Sequence, residues 1–430
     1  MTLKFPASCL ILLFSAASLF APGSTAAAPV PDIAPAINSL GLDLYREEIK
    51  SAGNSAVLLS PYSIASVLAM TYAGADGVTK AEMEKTLHLP SDQNACGAAF
   101  QSLSDQLSDV VSKSAGKVAE IRLHNGDATP IQLNVANRLF VQRGYSLRPA
   151  FIDEVHRHFD SNLAELDFKN DATHARQVVN PWVADQTKNK IRDLLPDNQP
   201  EPNTRMMLIN ALYLRAAWAD EFESSATKPE PFHFIGNDPA PVQTMRARRK
   251  YGYAKHEGYS VVTLPYLGGQ LQFVLLVPDK TDGLASLEKS LTAKVLSGCA
   301  RLEQREVILH LPKFRLEPGT IALTPALQSL GLRTAFDQPT GSANFDKMAP
   351  RKPGDYLAIS NVFHKTWLVL DEHGTEAAAT TVVEMLTFGV MVHSKEPPPV
   401  EVRADRPFIF AIQHVPSGTC LFLGRVTDPR

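Results

Sequence analysis

The chain has 430 residues, 44% hydrophobic and 20% charged, with a formal net charge of -3. That balance excludes a polybasic nucleic-acid binder and an acidic or low-complexity disordered chain. The length allows two or three domains and a core large enough to need no staples.

Lys4, a short apolar run over 10–20 and the small residues Ser24, Thr25 and Ala26 form the pattern of an export signal, so residues 1–26 are set aside from the fold. The run is too short to span a bilayer comfortably and none like it follows, so the expectation is a secreted or periplasmic protein with no membrane partner. Cys9 leaves with the signal. Cys96, Cys299 and Cys420 are spaced too widely for a metal motif or a disulfide framework, so no metal and no cofactor is expected. The absence of any Asn-x-Ser/Thr acceptor is compatible with a bacterial exported protein.

Between residues 31 and 52, Leu40, Leu44 and Ile49 recur at helical spacing with Glu47, Glu48 and Lys50 between them. Residues 54–59 read as a strand. Ser60 and Pro61 then open a second helix that runs to Ala73, with Ser60 placed to cap its first turn. On local grounds Ser60 and Ser63 are helix-start residues only.

The segment from Gly374 to Pro399 joins two apolar runs, 366–370 and 407–412. A connection this long in a compact domain is functional or disordered. With a period of two, Thr375, Ala377, Ala379, Thr381, Val383 and Met385 share one face. Glu376, Ala378, Thr380, Val382, Glu384 and Leu386 share the other. The first face is small or apolar throughout, as in a strand buried on one side. An Ala-rich helix is the competing reading, limited by the β-branched run 380–383.

Residues 368–381, LVLDEHGTEAAATT, closely resemble the hinge of the serpins, serine protease inhibitors whose reactive loop inserts into a central sheet after a protease cuts it. Residues 54–79 resemble the family's shutter segment. Further landmarks follow in family order: ANRLF at 136–140, NPWV at 180–183, TKNKIRDLL at 187–195, INALY at 209–213, LPKF at 311–314, NVFHK at 361–365 and RPFIF at 406–410. Together they cover essentially the whole mature chain. The resemblance implies an α+β serpin fold in one domain over 27–430. It has a large central mixed β-sheet, additional β-sheets, a cluster of about nine helices and an exposed reactive-centre loop at about 374–399.

The resemblance also implies roles. Ser60, Ser63, Asn210 and His364 match the shutter, a hydrogen-bonded cluster holding two central strands closed; for a lone His364 the plain reading is a satisfied core histidine. Trp218 matches the breach tryptophan and reads equally well as core packing. Lys313 and Glu372 match an ion pair between strand and loop base. Gly374, Thr375, Glu376, Ala377, Ala378, Ala379 and Thr380 match the hinge, and small residues there are typical of inhibitory members.

The implied mechanism is suicide inhibition of a serine protease through a covalent acyl complex. The freed loop adds to the sheet as a strand, and some 14 residues at about 3.3 Å each carry the protease roughly 45 Å. The resemblance further implies a monomer, with loop–sheet polymerisation as a side path.

The family pattern puts the bait bond fourteen positions beyond Gly374, at Phe388 and Gly389, which suits a chymotrypsin-like enzyme. The chain departs from the pattern after it. Nineteen positions separate Phe388 from Pro407, more than serpins usually have, and a count from the far end falls near Glu396 and Pro397. Met391, Val392 and Lys395 remain second candidates. No G-x-S-x-G, H-E-x-x-H, Walker or dinucleotide motif supports an enzyme. Cysteine-protease inhibition through the same loop, or a non-inhibitory binding or chaperone role, are the alternatives.

Overall fold

A computed structural model describes residues 30–124, 126–161, 163–376 and 397–430. The signal expected at 1–26, the hinge residues Ala377, Ala378, Ala379 and Thr380, the bait pair Phe388 and Gly389, and Met391, Val392 and Lys395 lie outside the described residues.

The first helix runs Ala34–Ala52 and the second Pro61–Gly74, separated by a short strand Val57–Leu59. The second helix is apolar almost all round and is buried on nearly every side, as such a pattern requires. Ser60 does not cap it through its side chain, contrary to expectation. The hydroxyl is buried and finds no partner among the described residues, because the helix start is pressed against the sheet. Nine α-helices are present among the described residues. Cys96, Cys299 and Cys420 are all free and buried.

Among the described residues two sheets form the body. The nine-stranded sheet runs in the order Val57–Leu59, Thr419–Val426, Phe408–His414, Leu271–Pro278, Tyr259–Pro265, Ala240–His256, Gln304–Pro312 and Val400–Arg403, with Lys228–Phe232 also on Ala240–His256. Thr419–Val426 and Phe408–His414 are buried along their length, as strands covered on both faces must be.

The eight-stranded sheet positions the site. At its centre Met206–Ala217 lies antiparallel to Gln132–Gln142 and parallel to Ile359–Thr366. Alternate residues of the central strand serve two cores. Met206, Leu208 and Leu212 face the main core with the helix Pro61–Gly74, whereas Met207, Ile209 and Ala211 join a front core with Val179 and Val183 of the helix Ala172–Gln186. The parallel pair holds from Ile359 opposite Met206 up to Thr366 opposite Leu212. Above that level the two strands part, and the line between them, paired below and parted above, is the seam along which the candidate residues lie.

Candidate functional site

Midway down the seam, three polar side chains form one row across the sheet. Asn137 is directly opposite Asn210, and Asn210 is directly opposite His364. The His364 ring is fully buried. Its Nδ1 is 2.5 Å from Asn210 Oδ1, and its Nε2 accepts the Ser60 backbone N–H at 3.1 Å. An accepting Nε2 fixes the neutral tautomer with the proton on Nδ1, which donates to Asn210. Burial pushes the imidazole down to about 3, against the opposing effect of its bond to Asn210.

Asn210 uses its amide hydrogens on Ser63 Oγ and on Asn137 Oδ1, the latter at 2.6 Å. Ser63 Oγ donates to Asn137 Oδ1 at 2.9 Å, and Asn137 Nδ2 returns a bond to the Ser63 carbonyl at 3.0 Å. The cluster therefore ties the start of one helix to three strands, including both sides of the seam. Ser60 takes part through its backbone alone. Sequence reasoning missed Asn137, although it lies in the ANRLF landmark; its pairing with Asn210 follows from strand register, which sequence does not display.

At the top of the seam the loop base is already between the strands. Gly374 and Thr375 pair antiparallel with Ala217 and Ala216 on one side and with Asp371 and Leu370 on the other. Gly374 has φ +143°, and a Cβ there would meet the Ala216 carbonyl oxygen at 2.1 Å, so only glycine passes between the strands at this point. Thr375 is 1% exposed and shares a 2.6 Å hydrogen bond with the Tyr266 hydroxyl. Glu376 then leaves the extended conformation at φ +49°, so the expected strand continues only as far as Thr375 within the described residues. The Glu376 N–H bonds to the Val369 carbonyl at 3.0 Å, and its carboxylate is 2.8 Å from Lys190 Nζ.

Trp218 packs and holds at once. It is 2% exposed, stacks on Tyr266 with ring centroids 4.7 Å apart, and meets Phe222 and Phe273 edge-on. Its indole N–H donates to the Asp371 carbonyl and its backbone N–H to the His373 carbonyl, both at 2.9 Å. The core-packing reading thus describes this side chain, which also bonds the turn that carries the loop base. Lys313 Nζ is 2.8 Å from Glu372, whose other oxygen accepts the Thr227 hydroxyl at 2.7 Å. Burial raises the Glu372 carboxyl, but Lys313 and Thr227 more than offset it, leaving the group below its usual range. Glu372→Ala is expected to lower stability by about 1 kcal/mol, since it removes the partner of the half-buried Thr227 hydroxyl and frees the loop base, as urea unfolding would show.

The row lies midway down the seam, and the loop base is paired on both sides at its top. A family profile described as Serpin (serine protease inhibitor) matches residues 35–429. The chain is 35% identical over 399 residues to a leukocyte elastase inhibitor of Sus scrofa, covering 90% of this chain and 97% of that one. Among solved structures it is similar to uncleaved ovalbumin, with a TM-score of 0.76 at 25% identity over 93% of this chain and 100% of that one. A loop-inserted cleaved ovalbumin mutant matches with the same TM-score, identity and coverage. The chain belongs to the serpin family.

Proposed function

We propose that this protein is an exported, irreversible suicide-substrate inhibitor of chymotrypsin-like serine endopeptidases, with Phe388–Gly389 as its bait bond. The observation that carries the reading is the two-residue insertion of Gly374 and Thr375 between the parallel strands, antiparallel to both. An incoming strand gains ladder hydrogen bonds on two sides and buries one face.

Continuing the register of Thr375 opposite Ala216 places Met385 opposite Met206, the first residue of the strand. A cut after Phe388 would leave the acylated end only three residues beyond the foot of the seam, so full insertion draws the protease down against the far pole. A cut near Glu396 would leave eleven residues of slack, roughly 36 Å of extended chain, and no pull on the enzyme. The register therefore supports the hinge-side count.

The protein supplies no catalytic group. The protease serine attacks the bait carbonyl, the amine of Gly389 departs with a proton, and the acyl ester persists if insertion outruns hydrolysis. Insertion requires the row of Asn137, Asn210 and His364 to part, so that cluster sets a threshold for opening the seam. The same seam can accept the loop of another copy, which makes polymerisation the side reaction.

Mixing the mature protein with chymotrypsin at near-equal amounts tests the reading. The expected result is a denaturation-resistant band at the summed mass and a released fragment beginning at Gly389. Cleavage of the loop with neither a complex nor a rise in heat resistance, with chymotrypsin and with trypsin, elastase, subtilisin and papain, would sink it and leave a non-inhibitory binding protein. Trapping of papain alone would transfer the activity to cysteine proteases.

A further inference from the structure

In front of the seam, the chain leaves the helix Ala172–Gln186 and crosses from one side of the opening to the other. On the near side, Asn134 Nδ2 donates to the Gln186 carbonyl at 3.1 Å. On the far side, Lys365 Nζ donates to the Asp193 carbonyl at 3.1 Å and the Thr320 hydroxyl to the Leu194 carbonyl at 2.8 Å. Ile191, Leu194 and Leu195 are buried in the front core with Phe363 and Trp367. Residues 187–195 are therefore a strap laid over the line along which a new strand must enter.

Beneath the strap is a cleft of about 350 Å³ that brings Trp367 together with four cations. Lys190 Nζ lies 4.6 Å and Arg315 Cζ 5.8 Å from the centre of the Trp367 ring. Lys190 pairs with Glu376, and Arg315 with Glu317 at 2.6 Å. Arg192 and Lys365 have no carboxylate partner among the described residues. Arg192 Nε donates to the Asn189 carbonyl at 3.2 Å, and Lys365 reaches only the Asp193 carbonyl. The remaining acid of the lining, Asp193, is exposed. Two cations bonded only to carbonyls thus border one cleft, one on the strap and one on the far strand.

We infer that this cleft binds a small tetrahedral oxyanion of the phosphate or sulfate class between Arg192 and Lys365, with Arg315 beside it, and that the bound anion staples the strap across the seam. Charge-assisted bonds to two cations without a carboxylate partner suit such an ion, and Lys190 and Arg315 over Trp367 flank the cleft. Loop insertion must widen the seam by one strand spacing, about 4.8 Å, which moves the far strand relative to the strap. An anion bridging the two resists that movement, so occupancy slows insertion and diverts the protein toward cleavage without trapping. This regulatory half rests on the inhibitory reading above; the binding half does not.

The test titrates inorganic phosphate into the mature full-length protein at ionic strength held constant with chloride, followed by tryptophan emission and calorimetry. The expected result is saturable binding with an emission change that Trp367→Phe removes. The double variant Arg192→Ser, Lys365→Met should bind at least roughly tenfold more weakly while still melting cooperatively. A linear response, or equal affinity in the double variant, overturns the site. In a second arm, the loop is cut and the gain of heat resistance is timed with and without phosphate. Severalfold slowing in the parent protein and none in the double variant supports the staple; binding with an unchanged rate overturns it. If heat resistance never develops in either protein, the inhibitory reading has failed, and the titration alone decides the anion site.

Discussion

On the inhibitory reading proposed above, Thr375→Arg is expected to replace trapping with plain cleavage. The Thr375 side chain is enclosed between two strands and hydrogen-bonded to Tyr266, whose hydroxyl stays protonated because burial raises its pKa. A guanidinium placed there would replace a small hydroxyl that fits the enclosed site and bonds Tyr266. Its desolvation costs several kcal/mol, whereas about 1.4 kcal/mol in the insertion barrier already changes the rate tenfold. The protease still finds the bait bond, so cleavage continues while the covalent complex falls by at least about tenfold. Electrophoresis of timed mixtures with chymotrypsin reads both quantities. An undiminished complex would mean that insertion does not pass through the observed position of Thr375. Gly374→Ala is a second probe of the same step, because its Cβ would collide with backbone rather than with a movable side chain.

The second large effect concerns acid. His364 is held neutral in the folded protein, down to about 3, and returns to its ordinary value of about 6.5 on unfolding. Between those values the unfolded chain binds the extra proton, so the contribution is complete above about pH 6.5 and is lost as pH falls toward 3. The slope approaches about 1.4 kcal/mol per pH unit, which amounts to roughly 2–3 kcal/mol between pH 6.5 and 4.5. Burial also holds His414 down, to about 4, so the protein's total acid sensitivity exceeds this share. Urea unfolding at pH 7 and pH 4.5 should show the difference between the two shrinking by that share in His364→Gln. An equal difference in parent and variant would remove His364 as the acid-sensitive group. Protonation would also set an Nε2 proton against the Ser60 N–H, so acid should loosen the row and favour polymers visible on native gels.

Much of this was legible in the sequence because the family's motifs are local strings. Residues 368–381 carry the resemblance to the family's hinge, and within the described part of that string Gly374 has a steric reason, since a Cβ there would collide with the Ala216 carbonyl. What stayed hidden depends on pairing between distant strands. Asn137 is 73 positions from the Asn210 it bonds, and Tyr266 is 109 positions from Thr375. Neither partnership has a local signal. Ser60 failed in a different way. Its residue type predicts a cap, but tertiary packing buries the hydroxyl and recruits the backbone N–H for His364 instead.

Gly374 and Thr375 alter the kinetics as well as the geometry. Adding a strand to a sheet ordinarily begins with a nucleation step, in which chain entropy is lost before any ladder bond offsets it. On the proposed mechanism the first two rungs exist before the protease arrives, so insertion would be elongation from a seed. Elongation proceeds one rung at a time, so a disruptive residue stalls it at its own position. The cost of such a residue should therefore diminish toward the foot of the seam, where most of the ladder has already formed when it is reached.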